Sequence, residues 1–179
     1  MCALAGVSFD EAGACGGARL GGSGVRGLGG AEAGGGDTEI DGTYELVRRV
    51  MADGTVIAPP EMVALYDLHA GRLNFNLFLR ARDGKLSSES TIARYTLDAR
   101  QYCEWMIFTT RDNLDGPGFT HEVPPVKDHC SPVTRRAGRL DYAPAGESVT
   151  ESFGPEGYRA TIAGQFVEYW RRVRSSRDR

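Results

Sequence analysis

The chain has 179 residues, of which 41% are hydrophobic and 25% are charged, a composition typical of one globular domain and not of a fibrous or wholly disordered protein. Its formal net charge is −3, so it lacks the excess of basic residues that is typical of DNA- and RNA-binding domains, and nucleic acid is not an expected partner. No apolar run approaches the roughly 18 residues that span a bilayer, and the amino terminus lacks the pattern of a secretory signal, so we expect a cytoplasmic protein without an integral membrane segment.

Glycine is concentrated at the amino-terminal end, where residues 1–42 hold 14 of the 24 glycines. Such runs bury too little apolar surface to offset the entropy of ordering the backbone, so we predict a flexible tail over residues 1–38. A phosphate-binding glycine loop is not favoured, because no strand pattern precedes these glycines and no helix pattern follows them. Residues 39–173 form the predicted folded domain, and residues 174–179 form a basic carboxy-terminal tail.

Turn dipeptides then recur at a spacing typical of β-hairpins, and the segments between them are rich in Val, Ile, Thr, Tyr and Phe. The predicted strands are 42–51, 62–69, 72–82, 88–97, 101–111, 133–142, 147–153 and 157–173, the last of them broken near Gly164. No segment shows a convincing helical period. An open sheet of this size would expose its edges, so we expect an all-β fold, an eight-stranded antiparallel up-and-down β-barrel.

The two ends of the predicted domain carry a recognisable pattern. The first strand opens with Gly42-Thr43-Tyr44, and the last contains Trp170 and Arg172. These residues resemble the lipocalin-like domain of the calycin group, with Tyr44 in the position of the usual tryptophan. The resemblance covers residues 40–173. It implies that a large ring plugs the closed end while a guanidinium stacks on an aromatic face, and that the barrel binds a small hydrophobic molecule or acts as a cofactor-free enzyme.

The four cysteines, at positions 2, 15, 103 and 130, form no Cys-x-x-Cys motif. We expect Cys103 and Cys130 to be reduced thiols, with a disulfide between them as the alternative. The segment 112–132 contains His121, Glu122 and 128–130, but their spacing matches no metal signature, so no metal or other cofactor is expected. We interpret this long segment as a lid over the barrel mouth, with an exposed loop as the alternative.

Which strand face lines the cup depends on register, because a slip of one residue exchanges the two faces. The preferred lining consists of polar and aromatic residues in three central strands and the last one: Asn76, Phe78, Arg80, Arg94, Tyr102, Glu104, Met106, Phe108 and Trp170. In the opposite register the lining consists of Phe75, Leu77, Leu79, Trp105 and Ile107. The sequence leaves this choice open.

Two functions fit a barrel of this kind. The first is binding of one small, largely hydrophobic molecule, which enters beside the 112–132 segment; a homodimer is compatible with it. The alternative is a cofactor-independent cyclase, isomerase or lyase for a natural-product or aromatic substrate. In the alternative, Glu104 or a tyrosine moves a proton, while Arg80 or Arg94 steadies developing negative charge. A third hypothesis, an interaction module using the basic tail, requires no cup. No Gly-x-Ser-x-Gly elbow supports a serine hydrolase.

Overall fold

A computed structural model describes residues 38–114, 116, 118–122, 129–145 and 148–173. These residues contain strands and turns. The strands are β1 (Gly42–Met51), β2 (Val56–Ile57), β3 (Met62–His69), β4 (Arg72–Arg80), β5 (Leu86–Leu97), β6 (Gln101–Asn113), β7 (Phe119–Glu122), β8 (His129–Pro132), β9 (Thr134–Arg136), β10 (Arg139–Tyr142), β11 (Val149–Gly154), β12 (Gly157–Ile162) and β13 (Phe166–Arg172). Within the described ranges, no helix is long and apolar enough to cross a membrane.

All the strands belong to one antiparallel sheet whose neighbours are mostly consecutive in the chain. The order is β7-β6-β5-β4-β3-β1-β13-β12-β11-β10-β9, so the first and last long strands lie side by side in its middle. Two short strands lie off this path: β2 pairs with β1, and β8 pairs with β6. The predicted all-β, antiparallel up-and-down architecture is confirmed. The described residues form thirteen strands, more than the eight or nine expected, and their order runs from β7 to β9 without closing, so the predicted eight-stranded barrel is not shown.

The hairpin turns follow the glycine signals in the sequence. Ala70 and Gly71 have φ values of +49° and +75°, and Ala137 and Gly138 have +48° and +74°. Positive φ at both central residues is the property of a type I′ turn, whose twist matches that of the strands it joins. The predicted bounds of β1 and β3 agree with the structure, and the break near Gly164 separates β12 from β13.

Two predicted segments need correction. The stretch 133–142 is a hairpin of β9 and β10, because the Ala137-Gly138 turn divides it. The stretch 112–132 contains β7 and β8, both hydrogen-bonded to β6, so these parts of it extend the sheet and do not form an irregular loop. Residues 123–128 of the predicted lid lie outside the described ranges, as do residues 1–37 of the predicted amino-terminal tail and the predicted carboxy-terminal tail at 174–179.

One face of the sheet is buried, and the period of two explains which side chains it holds. In β3, Met62, Ala64, Tyr66 and Leu68 are 0–5% exposed, whereas the residues between them are exposed or half-buried. Burying one such large apolar side chain stabilises the fold by about 1.5–3 kcal/mol. This buried face is the core, and the opposite side is called the outer face below.

Candidate functional site

Two buried carboxylates, each hydrogen-bonded to a tyrosine, lie on the buried face. Tyr102 Oη donates to Glu104 Oε2 at 2.7 Å, and Tyr142 Oη donates to Glu151 Oε2 at 2.6 Å. The two tyrosine rings stack with their centroids 4.3 Å apart, so the two pairs are neighbours. We call these four residues the Glu-Tyr cluster.

Strand geometry brings the cluster together. Tyr102 and Glu104 are two residues apart in β6 and therefore face the same side. Tyr142 and Glu151 are cross-strand partners in β10 and β11. All four are between 1% and 7% exposed, so water does not screen their interactions as it would at the surface.

The phenols of the cluster are protonated at neutral pH. Burial raises the pKa of Tyr102 and of Tyr142 well above the ordinary value of 10.0, and nearby carboxylates add to this effect because a phenolate would be repelled by them. Both tyrosines therefore remain hydrogen-bond donors. A carboxylate held beside a protonated phenol is a chemically suitable arrangement for giving and taking a proton.

A second buried polar group lies on β1 and β13. Arg49 donates from Nε to Glu168 Oε1 at 2.8 Å and from Nη2 to the same oxygen at 2.5 Å. Trp170 Nε1 donates to Glu168 Oε2 at 3.1 Å, and the Arg49 guanidinium also lies 4.1 Å from the centroid of the Phe166 ring. Both Glu168 oxygens are occupied, so this carboxylate holds Arg49 and Trp170 in place.

A cavity of about 950 Å³ opens where three turns meet, at the end of the sheet where β1 and β4 end. We call it the turn cavity. Its volume lies in the range of roughly 300–1,000 Å³ that small-molecule sites occupy. Its apolar side chains are Met51, Val56, Ile57 and Leu79, and its charged ones are Asp53, Glu61, Arg80 and Arg82.

The turn cavity lies directly above the buried ion pair. Met51, which lines the cavity, is the cross-strand partner of Phe166, and two residues further along the same strands Arg49 is the partner of Glu168. Because every second residue faces the same side, the ion pair forms the next layer of the buried face.

The deeper part of the buried face is occupied by close-packed aromatic rings. The ring centroids of Phe153 and Tyr158 are 4.7 Å apart, those of Tyr158 and Trp170 are 5.4 Å apart, and those of Tyr66 and Tyr158 are 5.4 Å apart. Contacts of this kind stabilise a core by about 0.5–1.5 kcal/mol per pair beyond the area they bury. This part of the molecule is therefore a packed core, and the turn cavity lies outside it.

The residues that carry the lipocalin-like pattern meet at the other end of the sheet. The Arg172 guanidinium lies 5.6 Å from the centroid of the Tyr44 ring, and Tyr44 Oη donates to the Ile40 carbonyl at 2.8 Å. A Cβ at Gly42 would lie 2.7 Å from Arg172 Nε, so glycine gives the arginine room to reach the ring. A guanidinium stacked on an aromatic face is the contact that the resemblance implies.

The structure divides the predicted site residues between two faces. Tyr102, Glu104 and Trp170 are buried, and Met106 is half-buried opposite the buried Ala93. Phe108 faces outward, where its ring meets the His121 ring at 6.0 Å. Phe108 faces outward because β6 contains a bulge between Met106 and Phe108. Ile107 is the extra residue of this bulge, and it exchanges the faces of the side chains that follow.

The preferred orientation of β4 is wrong. Leu73 and Phe75 are buried, as in the alternative register, because this strand has one uniformly apolar face. Asn76 and Phe78 lie on the outer face and line a separate cavity of about 620 Å³, the outer groove. Arg80 is exposed but lines the turn cavity.

Arg94 is also exposed, opposite Arg72 on the outer face and on the same side of the sheet as Trp105. The preferred interior position of Arg94 is therefore wrong as well. The arginines expected to assist Glu104 do not share its face, so the structure does not assemble the predicted group of Glu104, Arg80 and Arg94. In the alternative lining, Trp105 is half-buried and Ile107 is 39% exposed.

Sequence reasoning missed Glu151, Tyr142 and Arg49. Glu151 had a detectable signal, because it lies between Val149 and Phe153 at the period of two that marks a buried face. Arg49 had none, since its inward direction depends on a bulge at Val47 that only the pairing with β13 reveals.

Cys103 and Cys130 form a disulfide, so the expectation of two reduced thiols is wrong in this structure. They are cross-strand partners in β6 and β8, a proximity that sequence spacing does not reveal. Among the residues that the structure describes, no group of three His, Cys, Asp or Glu side chains is arranged to hold a metal ion. Asp128, one of the residues in the segment 112–132 considered above as metal ligands, lies outside the described residues.

The chain was also compared with known proteins. No protein-family model matches it, no curated protein matches it, and no solved structure matches it.

Proposed function

We propose that the sheet closes into a lipocalin-like barrel and that the turn cavity binds one small, largely hydrophobic molecule. The observation that carries this proposal is the turn cavity itself, about 950 Å³ with apolar side chains from β1, β2 and β4. A ligand that buries about 200 Å² of apolar surface there gains about 5 kcal/mol at about 25 cal/mol per Å².

Closure is supported by the segment 129–136. Its first half pairs with β6 as β8, its second half pairs with β10 as β9, and only Val133 separates the two halves. The stacking of Tyr102 on Tyr142 joins the same two sides. The ring would contain β1, β3 to β6, the β8-β9 segment and β10 to β13, which makes ten members instead of eight.

Orientation of the ligand would come from the charged side chains around the cavity. Arg80 and Arg82 lie at its rim together with Asp53 and Glu61, and the Arg49-Glu168 pair lies one layer below Met51. A ligand with an apolar body and one polar group fits this distribution, because the polar group can stay near the rim while the body covers Val56, Ile57 and Leu79.

The test is native mass spectrometry of the full chain after incubation with an extract of its source cells, followed by release and weighing of the bound species. We expect one retained small molecule. Val56→Glu should abolish retention, because it places a charge in the apolar lining, whereas Val63→Glu is a matched control in the outer groove. Both valines are exposed, at 58% and 49%, so neither change should unfold the protein. Retention that survives Val56→Glu and is lost with Val63→Glu would place the ligand in the outer groove.

A second candidate, a cofactor-independent enzyme with acid-base chemistry, is favoured by the Glu-Tyr cluster. Glu104 is 7% exposed and accepts from a protonated Tyr102, so it is held in a site of low polarity where a base is effective. If an extract component is converted, Glu104→Gln should lower turnover by roughly 10² or more. A carrier would lose little binding with the same change.

A further inference from the structure

The Cys103-Cys130 disulfide links two strands that share only a short run of paired residues. It joins β6 to β8, whose pairing consists of four residues on each strand, from Gln101 opposite Pro132 to Glu104 opposite His129. Beyond this ladder, the Val133 amide donates to the Arg100 carbonyl at 2.9 Å. Few backbone contacts hold β8 apart from the disulfide, so its loss should free this segment first.

The two cysteines differ in exposure. Cys103 is 4% exposed, whereas Cys130 is exposed. Thiol-disulfide exchange proceeds by attack of a thiolate on one sulfur, and the rate of attack depends in part on access to that sulfur. A thiolate from solvent therefore meets Cys130 Sγ, and Cys103 is the leaving group.

We propose that Cys130 is a site of exchange with a small thiol such as glutathione, and that exchange there releases β8 from β6. The thiolate forms a new sulfur-sulfur bond to Cys130 while the Cys130-Cys103 bond breaks, and the Cys103 thiolate takes up a proton from water. A second glutathione can then displace Cys130 as a thiol. The net change is two-electron reduction of the protein disulfide and oxidation of two glutathione molecules to their disulfide.

Release of β8 would also affect the Glu-Tyr cluster on the buried face. Tyr102 and Glu104 flank Cys103 in β6 and face the opposite side, so the β6 segment that loses β8 and keeps only β5 as its partner is the one that carries half of the Glu-Tyr cluster. The segment 129–136 also joins β6 to β10. In a reducing compartment such as the cytoplasm, disulfides are usually transient or redox-sensing. This inference does not depend on the ligand of the turn cavity.

The first test uses the full chain with Cys2→Ser and Cys15→Ser, which leaves only the two described cysteines. The protein is treated with glutathione under native conditions, quenched with acid, alkylated and digested for mass spectrometry. We expect glutathione on Cys130 and the alkyl group on Cys103, with at least tenfold less of the reverse pattern. Glutathione mainly on Cys103, or no exchange without denaturant, would overturn the proposal.

The second test measures whether β8 separates from β6 when the disulfide is absent. Cys103→Ser leaves Cys130 as a free, exposed thiol and removes the clamp without any reagent. Relative to the oxidised protein, amide hydrogen exchange at Val133 should accelerate at least tenfold more than exchange of the amides of β3 and β4, which report global unfolding. An unchanged Val133 rate would show that the disulfide does not hold β8, and an equal acceleration at Val133 and throughout β3 and β4 would show general unfolding; either result contradicts a local release.

Discussion

Glu168 shows how one buried side chain can organise two strands. It is 0% exposed and accepts hydrogen bonds from Arg49 and Trp170. The Arg49 side chain is itself only 11% exposed, so each member of the pair depends on the other for its solvation.

Glu168→Gln should therefore destabilise the protein by about 3–5 kcal/mol, because it leaves a buried guanidinium without its counterion. Urea denaturation followed by tryptophan fluorescence measures the loss. The matched control is Glu45→Gln, whose partner Arg171 is 3.0 Å away but 69% exposed; this change should cost less than about 1 kcal/mol. Equal losses in the two variants would contradict the argument.

The buried tyrosines make the stability of the protein depend on pH in the alkaline range. Burial is the largest cause that raises the pKa of Tyr44, to about 12, and it raises the pKa of four others: Tyr66, Tyr95, Tyr102 and Tyr142. The folded protein keeps these protons when the unfolded chain loses them near pH 10. The contribution of Tyr44 to stability is complete below that pH and is lost as the pH rises through about 12, and the contributions of the other four are lost as the pH rises through their own raised pKa values.

In an absorbance titration of tyrosinate, no more than two of the seven tyrosines should ionise in the native protein at about pH 10.5. In concentrated guanidinium chloride all seven should titrate together near the ordinary value. Five or more ionised tyrosines in the native state at that pH would mean that the buried rings are accessible to water.

At the scale of elements, backbone contacts decide which hairpins tolerate change. Gly157 opens β12 with φ +151°, and a Cβ there would lie 2.0 Å from the Trp170 carbonyl oxygen in β13. Gly138 has φ +74°, and a Cβ there would have open space around it.

Gly157→Ala should cost about 3 kcal/mol, since the backbone of β12 or β13 must move and the conformation itself favours glycine. Gly138→Ala should cost about 1 kcal/mol, the conformational term alone. Thermal unfolding of the two variants checks the difference. Similar unfolding temperatures would argue that β12 lies further from β13 than the structure places it.

Bulges set the limit of prediction at this scale. The period of two locates the buried residues of β3 without error, because that strand pairs regularly with β4. The bulges at Val47 and Ile107 each change the face of the residues beyond them, which turns Arg49 inward and Phe108 outward. Each is a property of two paired strands, so neither strand's own sequence specifies it.

At the scale of the whole molecule, the disulfide closes a loop between residues 27 apart in sequence. On the chain-entropy model a cross-link of this span stabilises the fold by about 3.5 kcal/mol. Cys103→Ser combined with Cys130→Ser should lower the free energy of unfolding by that amount in urea. The reduced wild-type chain should unfold at the same urea concentration as this variant. A double variant as stable as the oxidised protein would contradict the assigned pairing.

The sequence by itself determined the class of the protein and most of its hairpins. Positive φ at Ala-Gly turns and the β-forming residues between the turns are local properties, so β1, β3 and the break at Gly164 follow from residues close together in the chain. Tyr102, Glu104 and Trp170 belong to the preferred lining and are buried in the structure, although the sequence left the opposite register of β6 open.

Only the tertiary structure decided what these residues meet. The contact of Glu104 and Tyr102 with Tyr142 and Glu151, the Arg49-Glu168 pair and the Cys103-Cys130 disulfide each join residues far apart in sequence. The two short strands β8 and β9 come from a segment without a clear alternating pattern. They form because neighbouring strands have free edges to which they can hydrogen-bond. Long-range pairing sets the register, and register sets which side chains share a face.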